Sequence, residues 1–128
     1  MADRTMLQFE YEEVHGQTVS GVVGRRDGPA GWFSIAFLIA HRAVVLRVDP
    51  DTDEVVVTLE DASDFASGWI EVAEIANAIG SALGWCWIGR NCRGYLDMFT
   101  LSFSGIDPQI CFLGEASTLT IKHIIASR

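Results

Sequence analysis

Apolar and polar positions alternate with a period of two along much of this chain, which is typical of β-strands. Between residues 32 and 40, Phe33, Ile35, Phe37 and Ile39 share one face, and the other face is mostly small or apolar. This pattern predicts a strand that is covered on both sides. Four strands are predicted in the first half, over residues 18–26, 32–40, 43–48 and 55–59, with 49–54 as a hairpin connection.

The apolar period changes between residues 69 and 83. Val72, Ile75, Ile79 and Leu83 recur at helical spacing, and Gly84 is well placed to end a helix in a left-handed conformation. This segment therefore predicts the main helix of the chain. One or two further helical turns are expected near residues 9–15.

The second half again alternates like strands and is interrupted by turn residues. Phe99, Leu101 and Phe103 share one face, which indicates a sheet with one buried side. Four strands are predicted, over residues 85–90, 96–104, 109–113 and 118–125. The expected fold class is α+β, with a curved antiparallel sheet or open barrel of about seven to eight strands packed on one helix.

Composition predicts one domain, residues 1–128, because this length suits a single core and 49% of the residues are apolar. No secretory signal is visible in residues 1–10, and the apolar stretch 32–40 is too short to span a bilayer. The cysteines, Cys86, Cys92 and Cys111, show no zinc-ligand spacing. We therefore expect a cytoplasmic protein without a cofactor.

The formal net charge of −8 is concentrated in one window that contains no lysine or arginine. Its nine carboxylates are Asp49, Asp51, Asp53, Glu54, Glu60, Asp61, Asp64, Glu71 and Glu74. Such a field repels phosphate backbones and attracts basic surfaces. We therefore expect neither nucleic acid nor a membrane as the partner, but a basic protein.

The window predicts a docking face in which an aromatic anchor is surrounded by carboxylates. Trp69 lies at the edge of the window and is the candidate anchor. Trp85 and Trp87 share one face of a strand and are therefore either both buried or both presented to a partner, and the core is the default expectation. The predicted partner-binding residues are Asp49, Asp51, Asp53, Glu54, Glu60, Asp61, Asp64 and Trp69.

Two chemical alternatives remain open. Asp49, Asp51, Asp53 and Glu60 match the ligand positions of a calcium loop, but Glu54 stands where such a loop needs glycine, so a solvated acidic hairpin is favoured. Cys92 is the expected exposed thiol, since a turn surrounds it and Arg93 follows it. A small-ligand or metal-binding enzyme with its site in the sheet concavity is the other alternative, and such a site would draw on Cys92, His41 or His123.

The segment from Gly94 to Asp97 reads GYLD, a strand with Leu101 and Phe103 follows, and residues 112–119 read FLGEASTL. These motifs resemble a family of small uncharacterised bacterial domains that end in such strands. The small size and the acidity of such domains resemble those of immunity proteins. This resemblance implies that the chain is a non-enzymatic inhibitor of a basic toxin domain. A homodimer formed through a sheet edge is a further possibility.

Overall fold

The structure, a computed structural model, describes residues 5–26, 31–65 and 68–124. Within these ranges, nine strands form two antiparallel sheets, of order β4-β3-β2-β1-β5 and β6-β7-β8-β9. The strands are β1 (Gly21–Arg25), β2 (Ser34–Ile39), β3 (Arg42–Val48), β4 (Val55–Asp61), β5 (Ile70–Glu71), β6 (Leu83–Gly89), β7 (Met98–Phe103), β8 (Ile110–Glu115) and β9 (Thr118–His123).

The core lies between the inner faces of the two sheets. Phe37 of β2 packs against Phe103 and Phe112 of the other sheet, with both pairs of ring centroids 5.8 Å apart. Phe37 and Phe112 are fully buried, and burial of such a side chain contributes roughly 1.5–3 kcal/mol. The space between the sheets is therefore filled by side chains.

Short backbone pairings join the edges of the sheets. Trp32, just before β2, pairs with Leu119 of β9, with N···O distances of 3.2 and 2.7 Å. On the free edge of β4, Leu7 forms a bridge to Val57. These contacts close the sandwich at its sides and bring the β8–β9 hairpin beside the start of β2.

The predicted main helix over residues 69–83 is wrong, and so is the α+β class with a curved sheet or open barrel. The segment contains β5, a short 3₁₀-helix at Ala73–Ala78 with non-helical dihedrals at Ile75, and the start of β6. The 3₁₀-helix and the residue before it bury Val72, Ile75 and Ala78, a spacing of three that suits three residues per turn. Gly80, at φ +91°, then reverses the chain, and Ile79 is exposed.

The eight predicted strands are all present with shifted ends, and the two-residue β5 was not predicted. Two other 3₁₀-helices, Tyr11–Glu13 and Ala62–Phe65, complete the described elements. The first lies within the helical turns expected near residues 9–15. In the described ranges, the chain forms no helix with the length and apolarity that a membrane crossing requires.

Candidate functional site

The β3–β4 turn carries four of the predicted docking residues, and the hydrogen bonds of its three aspartates shape it. An Asp49 carboxylate oxygen accepts the amide of Asp51 at 2.9 Å, and the Asp53 amide donates to the carbonyl of Asp49 at 2.8 Å. Asp53 has φ +61°, a left-handed conformation that aspartate tolerates better than most residues. The aspartates are therefore part of the turn as well as of the surface.

A second turn, between β8 and β9, is fixed against the first. The amide of Ser117 donates to an Asp53 carboxylate oxygen at 2.8 Å, although 64 positions separate the two residues. A Cβ atom at Gly114 would overlap the carbonyl oxygen of Asp53, so the approach requires glycine there. This contact brings Glu115 to the same end of the sandwich.

We call Asp49, Asp51, Asp53 and Glu115 the acidic turn pair. Asp51 and Glu115 are exposed, and the other two are half-buried. The ion pairs found in the described part of the chain, Arg42–Glu13 and Arg47–Glu60, include none of these four carboxylates. None of the four is therefore neutralised by a described cation.

Three other predicted docking residues do not belong to the acidic turn pair. Glu54 is buried, and its Oε2 atom accepts the amide of Leu96 at 2.9 Å. Glu60 and Asp61 stand at the far end of β4, roughly 20 Å from the turn at about 3.4 Å per residue. The single docking face expected from the sequence is therefore divided between the two ends of β4.

The carboxylate of Glu60 is already paired. It accepts hydrogen bonds from Arg47 and Thr58, and the Arg47 hydrogen bond holds the pKa of Glu60 below its usual value. Asp61 accepts the amide of Ser63 at 2.9 Å, which lowers the pKa of Asp61. The far end of β4 thus has one neutralised carboxylate and one exposed carboxylate.

Trp69 covers the outer face of the five-stranded sheet. It is half-buried, its ring meets that of Phe65 edge-on at 4.6 Å, and the guanidinium of Arg25 lies 5.9 Å from its centroid. Small buried residues, among them Ala36 and Val45, lie beneath this pair. The side chain of Asp64, the remaining predicted residue, lies outside the described residues.

The calcium-loop pattern does not form a cage. Asp49 and Asp53 use carboxylate oxygens to accept backbone amides, and Glu60 lies at the opposite end of β4. In the described ranges, no three or more histidine, cysteine, aspartate or glutamate side chains converge in a way that could hold a metal ion.

The residues considered for an enzyme site lie on different elements. His41 is in the β2–β3 turn, Cys92 is in the β6–β7 connection, and His123 is on β9. The space between the sheets, where such a site was expected, is occupied by core side chains. Cys92 is exposed, as predicted, whereas burial raises the pKa of the Cys86 thiol to about 11.

A cleft that the sequence did not reveal adjoins the acidic turn pair. It has a volume of about 490 Å³ and is lined by Arg26, Trp32, Glu74, Glu115, Thr118 and His123, among others. Glu115 belongs to both surfaces. The cleft exists because the Trp32–Leu119 pairing brings β9 beside the start of β2.

Trp32 forms the floor of this cleft. The residue is 2% exposed, its indole N–H donates to Glu74 Oε2 at 3.2 Å, and the guanidinium of Arg26 lies 4.6 Å from its ring centroid. A Cβ atom at Gly24 would lie 2.6 Å from the indole, so glycine makes room for the ring. Glu74 is 42 positions from Trp32, and no local motif indicates their contact.

Trp85 and Trp87 are exposed, not buried as expected. Both lie on the outer face of the edge strand β6, with 56% and 36% of their surface exposed. Their alternation was interpreted correctly, but sequence does not indicate which face of a strand is covered.

Comparison with known proteins gives a family and no function. No curated protein matches the chain, and no solved structure matches it. A family model described as a family of unknown function matches residues 1–128. The chain therefore belongs to DUF6334, a family of unknown function.

Proposed function

We propose that this domain is a non-enzymatic cytoplasmic binding protein that docks a basic protein partner on the acidic turn pair, as an immunity protein covers a toxin domain. The supporting observation is the hydrogen bond from Ser117 to Asp53, which holds two acidic turns together. A preorganised anionic surface speeds association with a basic partner and adds specificity. The same field disfavours nucleic acid as the ligand.

The adjoining cleft supports this proposal, because a docking surface is stronger where charge surrounds a concave aromatic site. Glu74 and Glu115 add carboxylates there, and Trp32 provides the aromatic floor. Trp32 replaces Trp69 as the proposed aromatic element, since Trp69 packs on the opposite side of its sheet from the core.

The test is co-expression with the products of neighbouring genes, followed by comparison of two charge-reversed variants. Asp51→Lys with Glu115→Lys changes the acidic turn pair. Glu12→Lys with Asp107→Lys changes exposed residues outside that surface. Each reversal adds two positive units, so both variants move from −8 to −4.

The proposal predicts that a basic protein co-purifies with the native chain, that the turn variant binds it roughly tenfold more weakly, and that the control variant binds nearly normally. Added salt should weaken the native complex. The proposal would be contradicted if both variants lost the same amount of binding affinity, or if no basic protein co-purified with the native chain.

A further inference from the structure

The cleft beside the acidic turn pair combines anionic and aromatic groups. Glu74 and Glu115 supply carboxylates, Thr118 supplies a hydroxyl, and the face of Trp32 lies beneath them. A volume of about 490 Å³ falls within the range of roughly 300–1,000 Å³ that is usual for small-ligand clefts. This set of groups suits a cation that is also planar.

The chain itself supplies an example of such a cation. Arg26 lies with its guanidinium carbon 4.6 Å from the centroid of the Trp32 ring. Arg26 is exposed, and no described carboxylate forms an ion pair with it. An exposed cation–π contact contributes only about 0.5–1 kcal/mol, which makes Arg26 exchangeable.

The carboxylates of the cleft retain capacity to accept hydrogen bonds. Glu74 Oε2 accepts the indole N–H of Trp32, whereas Glu74 Oε1 receives no donor from the described residues. The same holds in those ranges for both carboxylate oxygens of Glu115. A guanidinium offers five donors in one plane and can bind a carboxylate through two of them while stacking on an aromatic face.

We propose that the cleft receives an arginine side chain of the basic partner, which stacks on Trp32 in place of Arg26 and donates to Glu74 and Glu115. This inference rests on the proposed function for the origin of the arginine, but not for the chemistry of the cleft. Arg26 then acts as an internal competitor that covers the ring until the partner arrives.

The test is a titration of the native protein with N-acetyl-arginine amide. NMR spectra monitor the indole N–H signals of the four tryptophans during the titration. Phenylalanine variants at Trp69, Trp85 and Trp87 assign those three signals and identify that of Trp32. Trp69 is a matched internal control, because Arg25 lies 5.9 Å from its ring but Trp69 does not line the cleft. We expect the Trp32 signal to shift and the other three to stay.

Variants then separate the contributions. Glu74→Gln retains an acceptor for the Trp32 indole and should weaken binding about fivefold, whereas Glu71→Gln removes the same charge outside the cleft and should not. Arg26→Ala removes the competitor and should tighten binding severalfold. N-acetyl-citrulline amide, which is uncharged but similar in shape, should cause no shift.

Four outcomes would overturn the inference. The first two are a Trp32 indole signal that does not shift with N-acetyl-arginine amide, and an equal shift with N-acetyl-citrulline amide. The third is a shift caused by inorganic phosphate that Arg26→Ala abolishes. The fourth is binding of free arginine without binding of N-acetyl-arginine amide. The phosphate result would make the cleft an anion site, and the free-arginine result would make it a site for a free amino acid. Partner capture by the acidic turn pair is measured separately, so failure here leaves the proposed function testable.

Discussion

Strand β4 has carboxylates at both ends, and the two ends use them differently. At the turn end, Asp49 and Asp53 accept backbone amides and keep their charge unpaired by any described cation. At the far end, Glu60 is neutralised by Arg47. A run of charge in sequence therefore becomes a charged surface only where the folded chain does not pair it.

The largest effect should come from Gly114→Ala, which breaks the contact between the two turns. The added methyl group would overlap the carbonyl oxygen of Asp53, so the β3–β4 turn must move. We expect the free energy of unfolding to fall by about 3 kcal/mol, as measured by urea denaturation. Gly105→Ala is the control, because a Cβ atom there would have no neighbour within 4 Å, and it should be nearly neutral. A similar decrease in the free energy of unfolding in both variants would argue against a close contact between the two turns.

Glu54→Ala should have the next largest effect, since it leaves the amide of Leu96 without its acceptor. Both groups are buried, and an unsatisfied buried donor costs roughly 1–3 kcal/mol. We expect a loss of about 2 kcal/mol in the free energy of unfolding. Glu54→Gln retains an acceptor oxygen and should lose clearly less. If the two variants unfold at the same urea concentration, the hydrogen bond to Leu96 is not what stabilises this position.

Asp53→Ala tests whether the aspartate joins the turns. It removes the acceptor of the Ser117 amide and puts alanine at φ +61°, so we expect a loss of about 1.5 kcal/mol. Hydrogen exchange at the Ser117 amide should become faster. Asp53→Asn keeps an acceptor and tolerates this conformation, so it should stay close to the native protein. Unchanged exchange in the alanine variant would mean that the turns are held by other contacts.

The smallest effect concerns the far end of β4. Because Arg47 lowers the pKa of Glu60, the ionised carboxylate stabilises the fold, and this stability is complete above the unfolded pKa of about 4.3. It is lost as the pH falls through the lower folded pKa. Exposure to solvent limits the effect to below about 1 kcal/mol. Glu60→Gln should therefore be slightly less stable than the native protein at neutral pH, and the difference should disappear in acid. A difference that persists at low pH would contradict the ion pair.

The strands could be predicted because each alternation is a local property. Ile35, Phe37 and Ile39 mark β2, and they are buried in the core. The segment 69–83 was misinterpreted because Val72, Ile75, Ile79 and Leu83 fit an α-helical spacing, whereas the folded chain buries Val72, Ile75 and Ala78, three residues apart, and exposes Ile79. The extended backbone of Ile79 ends the helical geometry earlier than the apolar pattern suggests, and Gly80 follows in a left-handed conformation.

The candidate site could be predicted only in part. The charge of Asp49, Asp51 and Asp53 is visible in sequence, but their junction with Ser117 depends on a contact across 64 positions. The pairing of Glu60 with Arg47 crosses 13 positions between neighbouring strands and depends on strand register. Such contacts follow from topology, which periodicity does not determine.

Amide chemical-shift mapping with an oligoarginine peptide locates the surface of the domain that binds a basic partner. If the acidic turn pair is the docking surface, the largest shifts fall at residues 49–53 and 115–118, with little change at 60–63. Shifts of equal size at both ends of β4, or shifts concentrated at residues 60–63, would contradict it.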